Sequence, residues 1–508
     1  MSYHVVWFKR DLRLHDHVAL HNAARRGPVL CLYVVEPELW RQPDAARQHY
    51  EFVRESLADL QRALHARGGQ LLVAHGEITE VLARLWRAAP FAGLYSHEET
   101  GNGWSYARDR AVACWCRAHG VPWLEVPQFG VVRPLRDRDG WQQAWETQMA
   151  LPVLDTPAAP RWAPLPWPGD ALPAATHLVL DPHDPPRRQR GGRERGLAVL
   201  RSFLDERARQ YRGGISSPLS APTACSRLSA YLAWGCLSLR EVVQATRAAQ
   251  ATHPDPRLRQ GLAAFQSRLY WHCHFIQKLE SEPAIEFENM HRGYDGLRED
   301  DWHAAHFEAL VAGRTGWPLV DACVAMLRET GWINFRMRAM LVSVAAYPLW
   351  LHWRPVGLWL ARQFLDYEPG IHWSQLQMQS GTTGINTTRV YNPVKQAADH
   401  DPQGRFVRRW LPAMRRVPDS WLLEPWRMPE SVQQGAGVYL GTDLPAPPVE
   451  LEAATRLAKA RLYARRGQDA VRAAKADIVS RHGSRRRPEV TTKRQATLPP
   501  EGQLSLDW

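Results

Sequence analysis

The chain has 508 residues and a mass of 57.9 kDa, with 45% apolar and 23% charged residues. This composition excludes a disordered or fibrous protein, and the length predicts two or three domains. The net charge is +12, and half of that excess lies in residues 446–508, which carry 13 basic and 7 acidic side chains. There is no CxxC pair, signal peptide or membrane-spanning apolar run, so we expect a cytoplasmic monomer without a structural metal.

The first 130 residues alternate short apolar runs with longer amphipathic ones. The predicted strands are His4–Phe8, Val29–Val35, Leu71–Ala74, Gly93–Ser96 and Trp123–Val126. The predicted helices between them are Ala45–Arg67, Glu77–Ala89 and Trp104–His119. Strand–helix alternation of this kind indicates an α/β domain with a Rossmann-like parallel sheet over residues 1–130. No glycine-rich phosphate loop follows the first strand, which argues against a nucleotide enzyme of the usual type.

The remaining chain divides into a linker, a helical domain and a tail. Residues 151–190 hold 10 of the 38 prolines, so we predict no regular element there and a linker over 131–194. Residues 195–445 follow helix after helix and predict a large all-α domain. The tail, 446–508, begins with prolines, continues as a basic helix candidate to about Arg481, and ends in a polar stretch typical of disorder.

Four motifs in the helical region carry residues suited to chemistry. They are Tyr211 with Ala221–Ser229 (APTACSRLS), Gly331–Arg338 (GWINFRMR), Asp366–Gly370 (DYEPG) and Tyr391–Pro393 (YNP). Hydroxyl groups and an Arg at the start of a helix can bind phosphate through backbone N–H groups, although an ordinary helix cap has the same composition.

Together with the opening Val5–Asp16 (VVWFKRDLRLHD), these motifs resemble the DNA photolyase/cryptochrome family, in the right order over residues 3–430. The resemblance implies an α/β antenna domain followed by an all-α domain that binds FAD. The family contains light-driven DNA-repair enzymes and light-sensing cryptochromes.

The resemblance also assigns cofactor residues. The FAD diphosphate would meet Tyr211, Cys225, Ser226, Arg227, Leu228 and Ser229. Cys225 stands where the family often has Thr, and a thiol is the weaker donor. Arg338 and Asp366 would form an ion pair beside the isoalloxazine, with Tyr367 and Glu368 nearby; without the resemblance, this is equally a bridge between two helices. The neighbour of flavin N5, commonly Asn in repair enzymes, falls on His372, or on Trp373 if the alignment slips.

The positions that would meet damaged DNA depart from the family. The stacking Trp is kept as Trp271, but a Glu that binds the thymine dimer falls on Arg268, which can reach lesion or flavin. The Asn and Arg beneath the lesion fall on Phe335 and Arg336. Met378 and Gln396 complete the expected contacts, and we assign catalytic roles to Trp271, Arg336 and His372. Loss of two hydrogen-bonding groups argues against the family's usual mode of dimer recognition.

The flavin-reducing relay and the antenna site also diverge. Of the three relay Trp positions, the inner and outer ones are Leu376 and Leu310, and only Trp353 is kept. Photoreduction would then need other aromatic residues, and we assign electron transfer to Trp353 and Trp373. The sequence offers Trp332, Tyr347, Trp350 and Trp359 as alternatives to Trp373. Ser105 replaces the acidic residue of folate-binding members, so a second chromophore of deazaflavin or folate type, or none, remains open. His272 and His274 lie two apart on one helix and do not predict a metal site.

Two functions follow from the resemblance. The first is FAD-dependent, light-driven repair of UV-induced pyrimidine dimers, with damaged DNA as the partner. The alternative is a blue-light cryptochrome that signals to a partner protein through its flavin; the altered lesion pocket favours it, and the short tail disfavours it.

Overall fold

A computed structural model describes residues 2–385 and 388–484. The N-terminal part is a five-stranded parallel sheet of order β3-β2-β1-β4-β5. The strands are β1 His4–Phe8, β2 Val29–Val35, β3 Leu71–His75, β4 Gly93–His97 and β5 Trp123–Val126. All five predicted strands are confirmed, and β3 and β4 each run one residue further than predicted.

Both faces of this sheet are covered by helices. The helices are α1 Val18–Arg26, α2 Pro37–Trp40, α3 Arg47–His65, α4 Ile78–Ala88 and α5 Gly103–Ala118. Val5 and Trp7 share a core with Leu85 of α4, whereas Val6 and Phe8 share one with Leu57 of α3. Because successive side chains of a strand point to opposite faces, a strand buried on both sides is mostly apolar, as are β2 and, after His4, β1.

The segment between the two domains is more ordered than its proline content predicts. It contains α6, Trp141–Ala150, and a single 3₁₀ turn at Ala175–His177, so the prediction of no regular element in 151–190 is wrong at that turn. Trp141 and Trp145 are buried, and Trp162 forms a bridge to the start of β2. Prolines end helices, but the burial of Trp141 and Trp145 still fixes the path of the chain.

The rest of the chain is helical, and among the described residues beyond Val126 there is no further strand. The helices up to the first long one are α7 Arg193–Asp205, α8 Tyr211–Gly214, α9 Ala221–Ala224, α10 Ser229–Ala233, α11 Leu239–Thr252 and α12 Pro256–Ser281. Those that follow are α13 Ala304–Ala312, α14 Pro318–Thr330, α15 Phe335–Ala346, α16 Trp353–Gln363, α17 Pro369–Ser380, α18 Pro393–His400, α19 Arg405–Trp410 and α20 Glu430–Ala436. The predicted all-α architecture is confirmed.

The tail contributes two helices, α21 Leu451–Arg466 and α22 Asp469–His482, where the sequence predicts one helical stretch. Leu462 of α21 packs with Tyr347 and Trp350, and His482 of α22 pairs with Glu282 just after α12. The polar end predicted beyond this point, residues 485–508, lies outside the described residues. Within the described part, no helix is long and apolar enough to cross a membrane.

Candidate functional site

The predicted phosphate cradle lies in the connection between α9 and α10. Cys225, Ser226, Arg227 and Leu228 occupy this connection, and Ser229 begins α10, which has only five residues. The cradle is therefore a loop between two short helices rather than the start of a long one. Burial raises the pKa of the Cys225 thiol to about 11, so it is neutral at pH 7 and can donate only weakly.

Arg227 brings an excess of positive charge to this loop. Its φ is +62°, and its guanidinium lies 3.8 Å above the ring of Trp332 and donates to Gln189 Oε1. Burial, together with the cations Arg338 and Arg207, lowers the pKa of Arg227 to about 10, and the charge of Asp366 only partly opposes that shift. A non-glycine residue in the left-handed region with an under-compensated buried charge fits a bound anion such as a diphosphate.

The ion pair between Arg338 and Asp366 is present, with Arg338 Nη2 3.0 Å from Asp366 Oδ2. Arg338 also donates to the carbonyl of Ile333 and lies 4.2 Å over the ring of Phe364. Burial alone would raise the pKa of Asp366, but Arg338 and the Ser229 hydroxyl hold it below its usual value. Asp366 Oδ1 is buried without a partner among the described residues, and such an orphaned acceptor fits a cofactor donor.

A residue of the α/β domain reaches this site. Arg10, which follows β1, lies 3.3 Å from Glu368 and donates to the carbonyl oxygens of Ala233 and Tyr367. Burial raises the pKa of Glu368 to about 7, and Arg10 opposes that rise. The Tyr367 hydroxyl donates to Asp44. With a pKa of about 7, Glu368 changes its protonation near neutral pH, and Arg10 favours its charged form. Sequence spacing does not reveal the contact between Arg10 and Glu368.

His372 lies on the first turns of α17 and is buried. Its Nε2 is 2.9 Å from the carbonyl of Gly357, so Nε2 carries the proton and Nδ1 is left as an acceptor. Burial lowers the pKa of His372 to about 3. An unperturbed imidazole exchanges protons near neutral pH, whereas this buried ring is neutral and lies edge-on to Tyr367.

Arg268, expected from the sequence to reach either the lesion or the flavin, interacts with Tyr211 and Cys225. Burial lowers its pKa, while a hydrogen bond to Tyr211 and the neighbouring Cys225 thiol oppose that shift. Tyr211 in turn packs edge-on against Phe203 and Phe265. Arg268 therefore joins two residues of the predicted phosphate cradle rather than standing apart from it.

The predicted DNA residues lie on four helices, α12, α15, α17 and α18. Trp271 of α12 contacts His274 and Phe275 at ring distances of 4.7 and 5.7 Å. Phe335 at the start of α15 is 50% exposed, which suits a surface contact better than a core role. Arg336 follows it; its Nε is buried without a partner among the described residues, and its charge lowers the pKa of His400 at the end of α18.

Gln396 and Met378 complete the predicted set. Gln396 also lies on α18, and its Oε1 is buried without a partner in the described part of the chain. Met378 lies on α17, the helix that carries His372. The arrangement leaves polar atoms of Arg336 and Gln396 for a ligand.

The two indoles predicted for electron transfer are in contact. Trp353 and Trp373 have ring centroids 5.9 Å apart, and both are at most 1% exposed. Trp353 donates to Asn289 Oδ1, whereas Trp373 Nε1 has no partner among the described residues. Trp373 also lies 5.0 Å from His372, which connects this pair to the ion-pair region.

Comparison with known proteins identifies the family. The profile described as the FAD binding domain of DNA photolyase matches residues 265–464, and the DNA photolyase profile matches residues 4–139. Cryptochrome DASH of Gloeobacter violaceus is 30% identical over 88% of this chain and 93% of its own. The deoxyribodipyrimidine photo-lyase of Streptomyces griseus is 31% identical over 91% and 99%.

The chain belongs to the DNA photolyase/cryptochrome family. Its fold is also that of solved members. The cryptochrome of Synechocystis sp. PCC6803 superposes with a TM-score of 0.82 at 23% identity, covering 91% of this chain and 99% of its own. A class III photolyase from Agrobacterium tumefaciens gives 0.80 at 24%, covering 92% and 98%. The helical domain is an FAD-binding domain, and the orphaned Asp366 oxygen and under-compensated Arg227 fit that cofactor.

A second cleft, missed in the sequence, lies between the two domains of this family member. It has a volume of about 70 Å³ and is lined by Trp40, Trp234, Glu36, Asp44 and Arg108, among others. Burial raises the pKa of Glu36 to about 7, and Arg108 opposes the rise. Trp40 Nε1 and Glu36 Oε1 lack partners among the described residues. An aromatic cleft with free polar atoms is suited to a planar ligand.

One buried group of metal-ligand type occurs in the described chain, formed by Asp11, His17 and His97. Asp11 Oδ2 is 3.0 Å from His17 Nε2 and 2.7 Å from His97 Nδ1. His17 Nδ1 accepts the N–H of Leu20, so the ring proton must sit on Nε2 and be donated to Asp11. A metal at Nε2 would require that proton on Nδ1, which disfavours a metal here.

Proposed function

We propose that the protein is a light-driven enzyme that repairs UV-induced pyrimidine dimers in DNA with FAD. When bound and reduced, FAD supplies a light-excited electron that opens the dimer and is then returned. Two unpartnered buried polar atoms, Arg336 Nε and Gln396 Oε1, carry the proposal, together with the exposed ring of Phe335, which precedes Arg336 in α15. A lesion-binding site with unpartnered hydrogen-bonding groups and an aromatic ring fits a base that is flipped out of the DNA stack.

The residues divide the work as follows. Arg227, Arg268 and the loop from Cys225 to Ser229 hold the diphosphate, and Asp366 with Arg338 fixes the charge beside the ring system. Trp271 stacks on the lesion, while Arg336 and Gln396 bind its polar edge or backbone. Met378 adds an apolar contact. The protein acts as a monomer on damaged DNA.

His372 keeps a neutral acceptor nitrogen beside the ring system. Because Nε2 donates its proton to the Gly357 carbonyl, Nδ1 can accept a hydrogen bond. Trp373 and Trp353 form the path along which electrons reach the site from the protein interior. These roles replace the Asn and the three-Trp relay that the family resemblance implies.

A signalling cryptochrome is the second candidate, and the altered lesion pocket favours it. Arg268 is engaged with Tyr211, and Phe335 offers no hydrogen bond, so two groups that bind thymine in the family are absent from the pocket. Under this alternative, light changes the flavin redox state, and a partner protein reads the change.

The cleft between the domains is the proposed site of a second chromophore. An archaeal photolyase from Sulfolobus tokodaii, solved with two FAD molecules, superposes with a TM-score of 0.74 at 24% identity, covering 91% of this chain and 100% of its own. In the present cleft, the stacked rings of Trp40 and Trp234, 6.3 Å apart, would flank a planar deazaflavin, flavin or folate ring. Chromophores released on denaturation and separated by chromatography would identify it.

One assay separates repair from signalling. The protein is purified with its flavin, reduced, mixed with dimer-containing single- and double-stranded oligonucleotides, and illuminated with blue light. Restored thymine on either substrate is the expected result. A protein that retains FAD and restores thymine on neither one would refute the repair function and favour the cryptochrome.

A further inference from the structure

The indole N–H of Trp353 is joined to two carboxylates through a single buried amide. Trp353 Nε1 donates to Asn289 Oδ1 at 2.8 Å. Asn289 Nδ2 in turn donates to Asp295 Oδ1 at 2.8 Å and to Glu299 Oε1 at 3.5 Å. An indole N–H can only donate, so the amide oxygen of Asn289 must face Trp353 and its nitrogen must face the two acids. Both acids are partly exposed, whereas Asn289 is buried.

These carboxylates bring negative charge to one side of Trp353. Burial would raise the pKa of Glu299, but hydrogen bonds from backbone N–H groups, first that of Arg298, hold it below its usual value. His352 Nε2 lies 3.7 Å from Glu299, and burial lowers the pKa of this imidazole, so the ring is neutral at pH 7. Asp295 Oδ2 is bonded at 2.9 Å by the exposed Arg292, which balances part of its charge.

Trp350, another indole of this region, lies in the opposite electrostatic setting. The guanidinium groups of Arg298 and Arg461 lie 4.5 and 5.1 Å from its ring centroid. Its Nε1 donates to Asp301 Oδ2, which Arg461 also binds. Burial lowers the pKa of Arg298 to about 10, so this group is charged at pH 7. Within the described part of the chain, no arginine or lysine lies over the ring of Trp353 in this way.

This difference decides which indole can hold a positive charge. An indole that gives up an electron becomes a cation, so nearby carboxylates favour that step and nearby guanidinium groups oppose it. Through Asn289, the nitrogen of Trp353 and the Asp295 carboxylate are no more than about 8 Å apart. At that distance inside a protein, one unit charge changes an equilibrium by about tenfold. Oxidation is therefore favoured at Trp353 and disfavoured at Trp350.

We propose that Asn289 is the positioning residue that makes Trp353, rather than Trp350, the end of the electron path. This inference rests on the path through Trp353 and Trp373 in the proposed function. Trp373 gives one electron to the light-excited flavin, and Trp353 then gives one electron to Trp373. Trp353 keeps its N–H proton, because the amide oxygen that accepts it does not titrate. An external thiol later returns the electron, and two thiols that each give one electron join as a disulfide and release two protons.

The first test needs no variant and no DNA. A light flash is given to the unmodified protein with oxidised FAD, and the indole radical is followed by transient absorption. The radical should have the spectrum of the protonated indole cation, and its lifetime should be the same in H₂O and D₂O. A deprotonated radical, or a lifetime that differs between the two solvents, overturns the inference, because the proton would then have left Trp353.

Variants of Asn289 test the positioning role. Asn289→Leu has a similar volume and removes the link to the carboxylates, so it should shorten the lifetime of the cation by about tenfold. Asn289→Asp places a group that can take a proton against the indole, so the deprotonated radical and a solvent isotope effect should appear. Asp301→Asn is the matched control, because Asp301 accepts the N–H of Trp350. An unchanged lifetime in Asn289→Leu, or a lifetime shortened only in Asp301→Asn, overturns the inference.

The charges are tested separately from the hydrogen bonds. Asp295→Asn combined with Glu299→Gln keeps acceptor oxygens for Asn289 Nδ2 and removes both negative charges. The lifetime of the cation should again fall by about tenfold, while Asp301→Asn leaves it unchanged. If the double variant keeps the lifetime of the unmodified protein, the carboxylates do not stabilise the cation and the inference is overturned.

Trp353→Phe separates the inference from the function on which it rests. If this variant keeps the indole radical signal, the proposed electron path is wrong and the inference falls with it. If it loses the signal while Asn289→Leu keeps the lifetime of the unmodified protein, the path stands and the inference alone is overturned. A protein that repairs no dimer but shows the expected radical would refute the repair function and leave the role of Asn289 intact.

Discussion

Trp373 packs edge-on against Trp353, with ring centroids 5.9 Å apart and planes at 70°, in a core that also contains Leu376 and Leu310, the residues expected at two relay positions from the family resemblance. Two indoles in contact can pass an electron in one short step, whereas leucine cannot donate one. The pair is therefore the proposed path for photoreduction, and it lies beside His372.

Replacing either indole tests this path. Trp373→Phe and Trp353→Phe should each slow light-driven flavin reduction by an external thiol at least tenfold, as followed by absorbance. Trp317→Phe is the matched control, because Trp317 is also buried but lies in a different motif at the start of α14. Repair by chemically reduced protein should be unaffected in all three. Full photoreduction in both relay variants would assign the electron path to other residues.

The position of Trp373 depends on the absence of a side chain at Gly357. A Cβ there would lie 2.6 Å from ring atoms of Trp373 and from Leu376. Gly357→Ala should therefore destabilise the protein by about 1–3 kcal/mol and also slow photoreduction. Gly435→Ala in α20 has open space and should stabilise by up to about 1 kcal/mol. Denaturant unfolding measures the free energy of unfolding of both variants. Equal values would show that the core around Trp373 accommodates the added methyl group without loss of stability.

The strands and the helical domain could be predicted because their signals are local. A strand buried on both faces is mostly apolar, and for that reason the sequence predicts the bounds of β1 and β2 as the structure has them. The ion pair of Arg338 and Asp366 was available from the family resemblance alone, since 28 residues separate the partners.

What sequence could not supply were contacts across domains. Arg10 follows the first strand, yet it reaches Glu368 more than 350 residues later because Gly235 lets the Arg10 carbonyl approach closely. The neutral state of His372 could not be predicted from the sequence either, because its Nε2 proton is donated to the carbonyl of Gly357 on a neighbouring helix. Burial, which lowers its pKa, is a property of the packed domain.

Arg268 offers a prediction that separates cofactor from substrate binding. Because it bonds Tyr211 and lies near Cys225, Arg268→Gln should lower the FAD content of the purified protein more than its DNA affinity. Arg336→Gln should lower DNA affinity more than FAD content, because Arg336 Nε has no described partner and belongs to the proposed lesion-binding site. Flavin content by absorbance and DNA binding by anisotropy measure both. If Arg268→Gln keeps its flavin and loses damaged DNA, this residue belongs to the lesion pocket.

His372 makes stability depend on pH in a direction that its burial fixes. Its pKa is about 3 in the folded chain and about 6.5 when unfolded, so between these values the unfolded state binds the extra proton. The folded protein therefore loses stability as pH falls from 7 to 5, by about 2 kcal/mol for this one group. His372→Asn does not titrate and should escape that part of the loss, so its stability relative to the unmodified protein should improve by about 2 kcal/mol over the same range. Urea unfolding of both proteins at equal flavin occupancy measures the difference. Parallel pH profiles would mean that the imidazole is charged or exposed, and the role assigned to its neutral Nδ1 would then be wrong.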